Sequence, residues 1–314
     1  MSDQNQPRKG KKIVIPGPTA SQPTFTPGSS GPNQAPVGAA EQRRVLDEIA
    51  KVAQTQGAVG TAPGQTGVPF DFTKCHLHIG IPCYGGMVSE PTMTSFLRFT
   101  LLAQQVGLNW SLDTMVNESL IPRGRNNLMA KMMTNTASTH FMFIDADIRF
   151  QPESILQMIA YDKEVIGGLY PKKALPINYV INLKPQVTVQ GDIYTVDTMG
   201  TGFLLFKRSV YEKLIASHPE TKYVDDIGLG KQYEPMMYAI FDTEIDHRGH
   251  YLSEDWTFCR RWQAIGGEIW AHSKTLLNHI GHYEFQGDIS KLDITTMAQQ
   301  AHASANPTPT ERKG

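Results

Sequence analysis

Between residues 75 and 170 the apolar positions follow two different periods. Three short runs, "CHLHIGIP" (75–82), "HFMFID" (140–145) and "EVIGGLY" (164–170), have the length and content of buried strands. "LNWSLDTMVN" (108–117) alternates apolar with polar, as a half-buried strand does. The stretches between them carry helical spacing. "SEPTMTSFLRFTLLAQQVG" (89–107) sets Met93, Phe96, Leu97, Thr100 and Leu101 on one side and stops at Gly107. "PRGRNNLMAKMM" (122–133) and "PESILQMIAY" (152–161) each read as a helix with proline at its first position. Strands alternating with helices predict an α/β fold with a parallel sheet, and ligands at the carboxyl ends of its strands. After Pro171 the pattern breaks into shorter strand-like pieces, "INYVINL" and "GDIYTVD", and no internal repeat is visible.

The two ends of the chain read differently. Residues 1–73 are dense in Pro, Gly, Ser, Thr and Gln and poor in large apolar residues, so a disordered extension is expected. Within it "AAEQRRVLDEIAKVAQ" (39–54) places Val45, Leu46, Ile49 and Val52 along one side, as a short helix in a linker would. Residues 289–314 read as a tail, which leaves 74–288 as the folded domain. The 314 residues carry a formal net charge of −1, so no global basic field holds nucleic acid. Cys75, Cys83 and Cys259 lack metal-type spacing, and a reduced, cytoplasmic compartment is the expectation. The polar start and the lack of any 18-residue apolar window predict neither a leader nor a membrane span.

Chemistry gathers where the apolar runs stop. The strand ending at Ile144 runs into Asp145 and Asp147. On an extended chain both carboxylates point the same way, four hard oxygens around one point, which a divalent cation neutralises. A solvated turn also ends strands on Asp; the apolar run before and the Pro-started helix after favour the cation. His279 and His282, in "LLNHIGHYEF", follow a short apolar run, and an imidazole there could complete a metal shell, although a lone histidine is more often structural. Arg123 and Arg125 stand in the first turn of a helix, against its dipole, which points to a bound anion unless both are plain surface arginines. Glu254 and Asp255 open the helix "SEDWTFCRRWQAIGG" behind Ser253. Acids suit that end of any helix, and either is a candidate general base or hydroxyl anchor. Gly200 and Gly202 flank Thr201, permitting close approach to a ligand or only a tight bend. Residues 218–250 read as a lid, an acceptor-recognition insert or an irregular surface loop.

In chain order the pieces are "IPCYGG", "PRGRNNLMA", "FIDADIRFQP", "GGLYPKK", "GTGF", "SEDWTFCRRWQAIGG" and "HIGHYEF". That ordered set resembles the glycosyltransferases of the GT-A fold, in particular the family 2-like enzymes of bacteriophages and large viruses. The R-x-R-N-x-L and D-A-D arrangement is also similar to Anp1-type mannosyltransferases. The resemblance covers about residues 75–288. It implies a GT-A type, Rossmann-like fold with a mostly parallel central sheet flanked by helices. It implies transfer of a hexose or pentose from a UDP- or GDP-linked nucleotide sugar to a hydroxyl, with Mn²⁺ or Mg²⁺. The acceptor would be a glycan or a modified base of phage DNA, nucleic acid entering only in that role, in the host cytoplasm if the protein is viral. By the same resemblance Pro82 and Tyr84 border the base and ribose, while Arg125 and Asn126 steady the nucleotide with Arg123 close by. Asp145 sits nearer the ribose and metal, Asp147 on the metal, and His279 binds it from the far side. Gly200 to Phe203, Gly202 among them, line the acceptor, and Asp255 is the base with Glu254 beside it.

Two departures bear on this. Processive synthases of the superfamily carry Q-x-x-R-W, whereas Phe258 to Trp262 reads "FCRRW", and no membrane helices follow. Non-processive transfer is therefore expected. The related families also include inverting and retaining enzymes, so the base follows less directly than the metal site. A nucleotidyltransferase acting on a sugar phosphate would carry a basic Gly-rich loop after the first strand, and "IPCYGGMVSEP" has no Lys or Arg. A non-catalytic sugar-nucleotide-binding module would have no use for Asp145, Asp147, Asp255 and His279 together.

Overall fold

Phe141, Met142, Phe143 and Ile144 are apolar at every position, so a strand built from them needs cover on both faces. The computed structural model of the chain supplies it. Phe141 and Phe143 join one buried cluster, Met142 and Ile144 the other. The same alternation recurs in the neighbouring antiparallel strand, where Leu204 and Phe206 face the first cluster and Phe203 and Leu205 the second. The structure describes residues 70–294 and 296–298. The expected extension lies outside the described residues as far as residue 69, as do the expected 39–54 helix and the tail beyond residue 298.

In chain order the strands of the two larger sheets begin with β1 (His76–Cys83), β2 (Asn109–Val116), β3 (His140–Ile144), β4 (Ile148–Arg149) and β5 (Val165–Gly168). There follow β6 (Val189–Gln190), β7 (Ile193–Val196), β8 (Phe203–Lys207), β9 (Ile269–His272), β10 (Asn278–Ile280) and β11 (Glu284–Gln286). An eight-stranded sheet takes the order β2-β1-β3-β8-β5-β9-β7-β6. In it β8 and β7 run against the other strands, so the sheet is mixed but mostly parallel in sense. Helices α1 (Glu90–Val106) and α3 (Pro152–Ala160) cover one face. The other is covered by α2 (Ile121–Thr134), α4 (Arg208–Ser217) and α5 (Glu254–Ala264). The expected Rossmann-like α/β architecture is the one observed. A smaller sheet, β11-β10-β4, stands beside the carboxyl end of β3. No described helix is long and apolar enough to cross a membrane.

Three details depart from the sequence reading. Of the side expected to be buried on α1, Met93, Leu97 and Leu101 are exposed, at 49%, 61% and 58%. The buried face instead carries Thr92, Ser95, Phe96, Phe99, Leu102 and Ala103. Thr92 and Ser95 can be inside because each hydroxyl is satisfied, Thr92 Oγ1 donating to the Ile148 carbonyl and Ser95 Oγ to the Pro91 carbonyl, both at 2.9 Å. The folded body also begins ahead of residue 74: the rings of Phe70 and Phe72 lie 5.0 Å apart and pack on the α1 side of the core. Finally, the 218–250 stretch is mostly surface, as an irregular loop would be, but it is pinned to the body at 237–241. Met237, Ile240 and Phe241 are fully buried, and Arg261 Nη1 donates to the Ala239 and Ile240 carbonyls at 2.6 and 2.9 Å.

Candidate functional site

At Ile144 the chain stops being extended. The Ile148 N–H donates to the Asp145 carbonyl at 3.2 Å, closing a turn over 145–148. Helix α1 holds that turn from one side, with the Ser89 N–H donating to the Ala146 carbonyl at 2.8 Å. Strand β10 holds it from the other, with the Ile280 N–H donating to the Asp147 carbonyl at 2.8 Å. The expectation of two carboxylates pointing the same way along an extended strand is corrected here. They diverge, each to its own partners.

Asp145 Oδ1 accepts from Arg125 Nη2 at 2.9 Å. Arg125 is buried one turn into α2, with its Nε 3.5 Å from Glu254 Oε1 and its guanidinium 5.1 Å from the centre of the Phe143 ring. Burial works against its charge, but Asp145 and Glu254 outweigh burial and hold its pKa above the usual arginine value. Its Nη1 is buried without a hydrogen-bond partner. The anions that offset the dipole are thus carboxylates of this chain. Arg123 is matched by Glu118, through contacts of 2.7 and 3.0 Å, and does not line the cavity. Asn126 is also outside it. Its amide donates to the Phe241 carbonyl at 2.6 Å and accepts from the Phe241 N–H at 2.9 Å, pinning the 218–250 stretch to α2.

Asp147 meets a different set. Lys173 Nζ lies 2.5 Å from Oδ2, and His279 Nε2 lies 3.4 Å from Oδ1. Burial pushes the Asp147 carboxyl up, but His279 and Lys173 more than offset it and hold it below the usual carboxylate range. His279 Nδ1 is 2.9 Å from the Pro171 carbonyl, which can only accept, so Nδ1 carries the proton. His279 lowers Asp147 only when Nε2 carries a proton as well; a neutral ring instead turns a lone pair toward the carboxylate.

Tyr170 is the pillar between the two aspartates, and sequence reasoning missed it. Its hydroxyl accepts from the Gly202 N–H at 3.1 Å, and its ring meets His279 edge-on at 5.3 Å. Burial raises its pKa, so it stays a neutral phenol. This explains the two glycines: a Cβ at Gly200 would overlap the Tyr170 hydroxyl. At Gly202 it would lie 2.6 Å from Asp145 Oδ2 and 2.8 Å from Tyr170 Oη. The glycines make room for Tyr170 and Asp145, and it is Thr201 between them that faces the cavity, its buried Oγ1 without a partner. Gly202→Ala should therefore lower unfolding stability by about 1–3 kcal/mol, the usual cost of overpacking. Chemical denaturation would check this, and wild-type stability would contradict the packing account.

Glu254 and Asp255 open α5 as expected. The Ser253 hydroxyl bonds Asp255 Oδ1 rather than a helix N–H, and the Trp256 N–H donates to the same oxygen at 2.8 Å. Burial pushes the Asp255 carboxyl up, against the lowering effect of Ser253. Both these acids border one cavity of about 630 Å³, together with Arg125, Asp145, Asp147, Tyr170, Thr201 and His279. Pro82, Tyr84, Met87 and Ile121 form an apolar side; Arg125, Asp145, Asp147, Thr201, Glu254, Asp255 and His279 form the polar one. Four carboxylates stand there against two permanent cations, Arg125 and Lys173, leaving an excess of two negative charges. Among the described residues no group of three His, Cys, Asp or Glu is gathered into a preformed metal cage. The donor chemistry still fits a hard divalent ion at Asp147 and His279, since Mg²⁺-type sites rely on one or two carboxylates and complete their shell from phosphate and water.

No family model matches the chain, and no curated protein matches it in sequence. Among solved structures it is similar to A197 from STIV, at 16% identity over 66% of this chain and 86% of that one, with a TM-score of 0.40. A UDP-glucose pyrophosphorylase complexed with UDP-glucose is similar at 10% identity, over 75% and 83% of the two chains, TM-score 0.35. The inositol-1-phosphate CTP transferase from T. maritima is similar at 9% identity, over 75% and 99%, TM-score 0.34. Likenesses this distant bear on neither the site nor its chemistry, and the α/β architecture rests on the sheet itself.

Proposed function

We propose that the chain is a divalent-cation-dependent, non-processive glycosyltransferase of the GT-A type, moving a sugar from a UDP- or GDP-linked donor to a hydroxyl acceptor. The observation that carries this reading is the His279–Asp147 pair. With Nδ1 committed to the Pro171 carbonyl, Nε2 of a neutral ring faces the Asp147 carboxylate across 3.4 Å as a second electron-pair donor, beside a second aspartate. For a neutral ring such a contact is repulsive until a positive charge joins it, and a divalent cation supplies that charge as readily as a second ring proton does. The charge excess supports the same reading, because a dianionic diphosphate would not enter a net-negative cavity without positive charge. Asp147 and His279 would hold Mn²⁺ or Mg²⁺, which neutralises charge on a leaving diphosphate when bound.

The remaining roles belong to the chain's own side chains. The apolar side formed by Pro82, Tyr84, Met87 and Ile121 suits a nucleobase and ribose. Asp145, fixed by Arg125, lies ready to accept from a ribose hydroxyl, and Arg125 Nη1 and Thr201 Oγ1 are unmet donors for the donor's polar groups. Asp255, with its pKa raised by burial, would take the acceptor's proton as that oxygen bonds the anomeric carbon and the bond to the diphosphate oxygen breaks. Glu254 is occupied by Arg125 and serves to hold it. The acceptor is a hydroxyl of a glycan or of a modified DNA base, and a reducing cytoplasm suits the three free, buried cysteines.

Calorimetry with UDP-glucose and GDP-mannose, in Mn²⁺ and in EDTA, tests this together with product analysis. Metal-dependent binding of one donor and release of its nucleoside diphosphate are expected. Release of a sugar 1-phosphate would instead show nucleotidyl transfer, and equal binding in EDTA would remove the metal.

A further inference from the structure

The chain between β5 and residue 181 doubles back through a bridge between Pro171 and Tyr179. Residues 172–178 form its exposed tip. Within the tip the Lys172 N–H donates to the Asn178 carbonyl at 2.6 Å and the Ala174 N–H to the Lys172 carbonyl at 2.8 Å. Among the described residues, the ion pair that joins this tip to the body is Lys173 on Asp147. The Lys173 stem runs beside Gly281, where a Cβ would lie 3.3 Å from its Cδ. The ammonium therefore rests on the carboxylate that the proposed metal site needs most. It does so loosely, since the two side chains are 39% and 35% exposed and such pairs are weak. Lysine is suited to leave: a point charge on a four-carbon stem, not a bidentate fork. A hard divalent ion competes for the same oxygen with twice the charge.

We propose that Lys173 is an exchangeable stand-in for the metal. Its ammonium neutralises Asp147 in the metal-free protein, is expelled when a divalent cation binds, and then moves with the 172–178 tip onto the donor's diphosphate. This rests on the glycosyltransferase reading, because it presumes a cation at Asp147. It makes Lys173 a residue with two opposite effects on ligand binding, weakening one partner and strengthening the other. A lysine that merely holds the tip in place would show neither.

The test is calorimetry on the full chain, with Mn²⁺ alone and then with UDP at saturating Mn²⁺, for wild type, Lys173→Met, Lys172→Met and Asp147→Asn. If Lys173 blocks the site about four-fifths of the time, as much as a weak, exposed pair allows, removing it should tighten Mn²⁺ binding about fivefold, by the fraction of competent protein. Lys172→Met removes the same charge one residue away and should shift Mn²⁺ affinity by less than about twofold on that same scale. UDP affinity should fall in Lys173→Met while Mn²⁺ affinity rises. Hydrogen exchange over residues 172–178 should quicken when Mn²⁺ is added to wild type and be quick already in Lys173→Met. Unchanged Mn²⁺ affinity in Lys173→Met would overturn the exchange, and an equal gain in Lys172→Met would reduce it to long-range repulsion. Unchanged UDP affinity would overturn the transfer to the diphosphate. Equal Mn²⁺ binding by wild type and Asp147→Asn would instead sink the metal reading itself, independently of either lysine, and the exchange with it.

Discussion

Asp147→Asn should remove divalent-cation-dependent turnover of the donor, by on the order of 10³-fold or more, while the protein remains folded. The magnitude follows from what a bound cation supplies, several kcal/mol of charge stabilisation on a leaving diphosphate, with each 1.36 kcal/mol worth about tenfold in rate. Asn is nearly isosteric but cannot offer a charged oxygen, and it leaves His279 as the lone anchor at that point. The backbone roles of residue 147 do not change, because the Ile280 N–H bonds its carbonyl and α1 holds the turn through Ala146 and Ile148. The side-chain pairs that are lost, to Lys173 and His279, are partly exposed and contribute about 0–1 kcal/mol. Thermal unfolding should thus stay close to wild type while the rate collapses. Full activity in the variant, or unchanged wild-type activity in EDTA, would show that no cation works at Asp147.

What could be read in the sequence divides along a physical line. The strands and helices were legible because burial is written locally: Phe141–Ile144 needs cover on both faces whatever its neighbours are, and Pro122 and Pro152 open helices by their own geometry. Asp145, Asp147, Asp255 and His279 stood out by charge at element ends, and the fold brings them to one cavity. The direction of each carboxylate was not legible. It depends on the 145–148 turn, held by Ser89 and by Thr92, the latter 56 residues upstream of the Ile148 carbonyl it bonds. Tyr170 and Lys173 stood within "GGLYPKK" without a role for the same reason, since each gains its role from partners at positions 202 and 147. The glycines at 200 and 202 were visible as glycines, but their reason, space for a phenol and a carboxylate, lies across the fold. Asn126 shows the reverse error. It sits beside Arg125 in sequence, yet one step along a helix turns it to Phe241 and away from the cavity.

Asp255→Asn should bind the sugar nucleotide with wild-type affinity and transfer the sugar at least about 100-fold more slowly, as loss of a general base does. The variant preserves the local structure, because an amide oxygen can still accept from the Ser253 hydroxyl and the Trp256 N–H, the two bonds now made by Oδ1. An acid that only faced the helix dipole would contribute about 0.3–1 kcal/mol, far too little for such a loss of rate. Glu254 cannot easily replace it, since its carboxylate already lies against Arg125. The pH profile gives a second, independent readout. Burial raises the Asp255 carboxyl above its ordinary value, and a base works only when deprotonated. Wild-type transfer should therefore decline as pH falls through a point above the usual aspartate range, and Asp255→Asn should lack that limb while keeping whatever slow rate remains. Calorimetry for the donor beside the transfer rate across pH decides the matter. A loss below about tenfold, with the acid limb intact, would return Asp255 to the helix end as a structural acid and favour a retaining reaction that needs no base there.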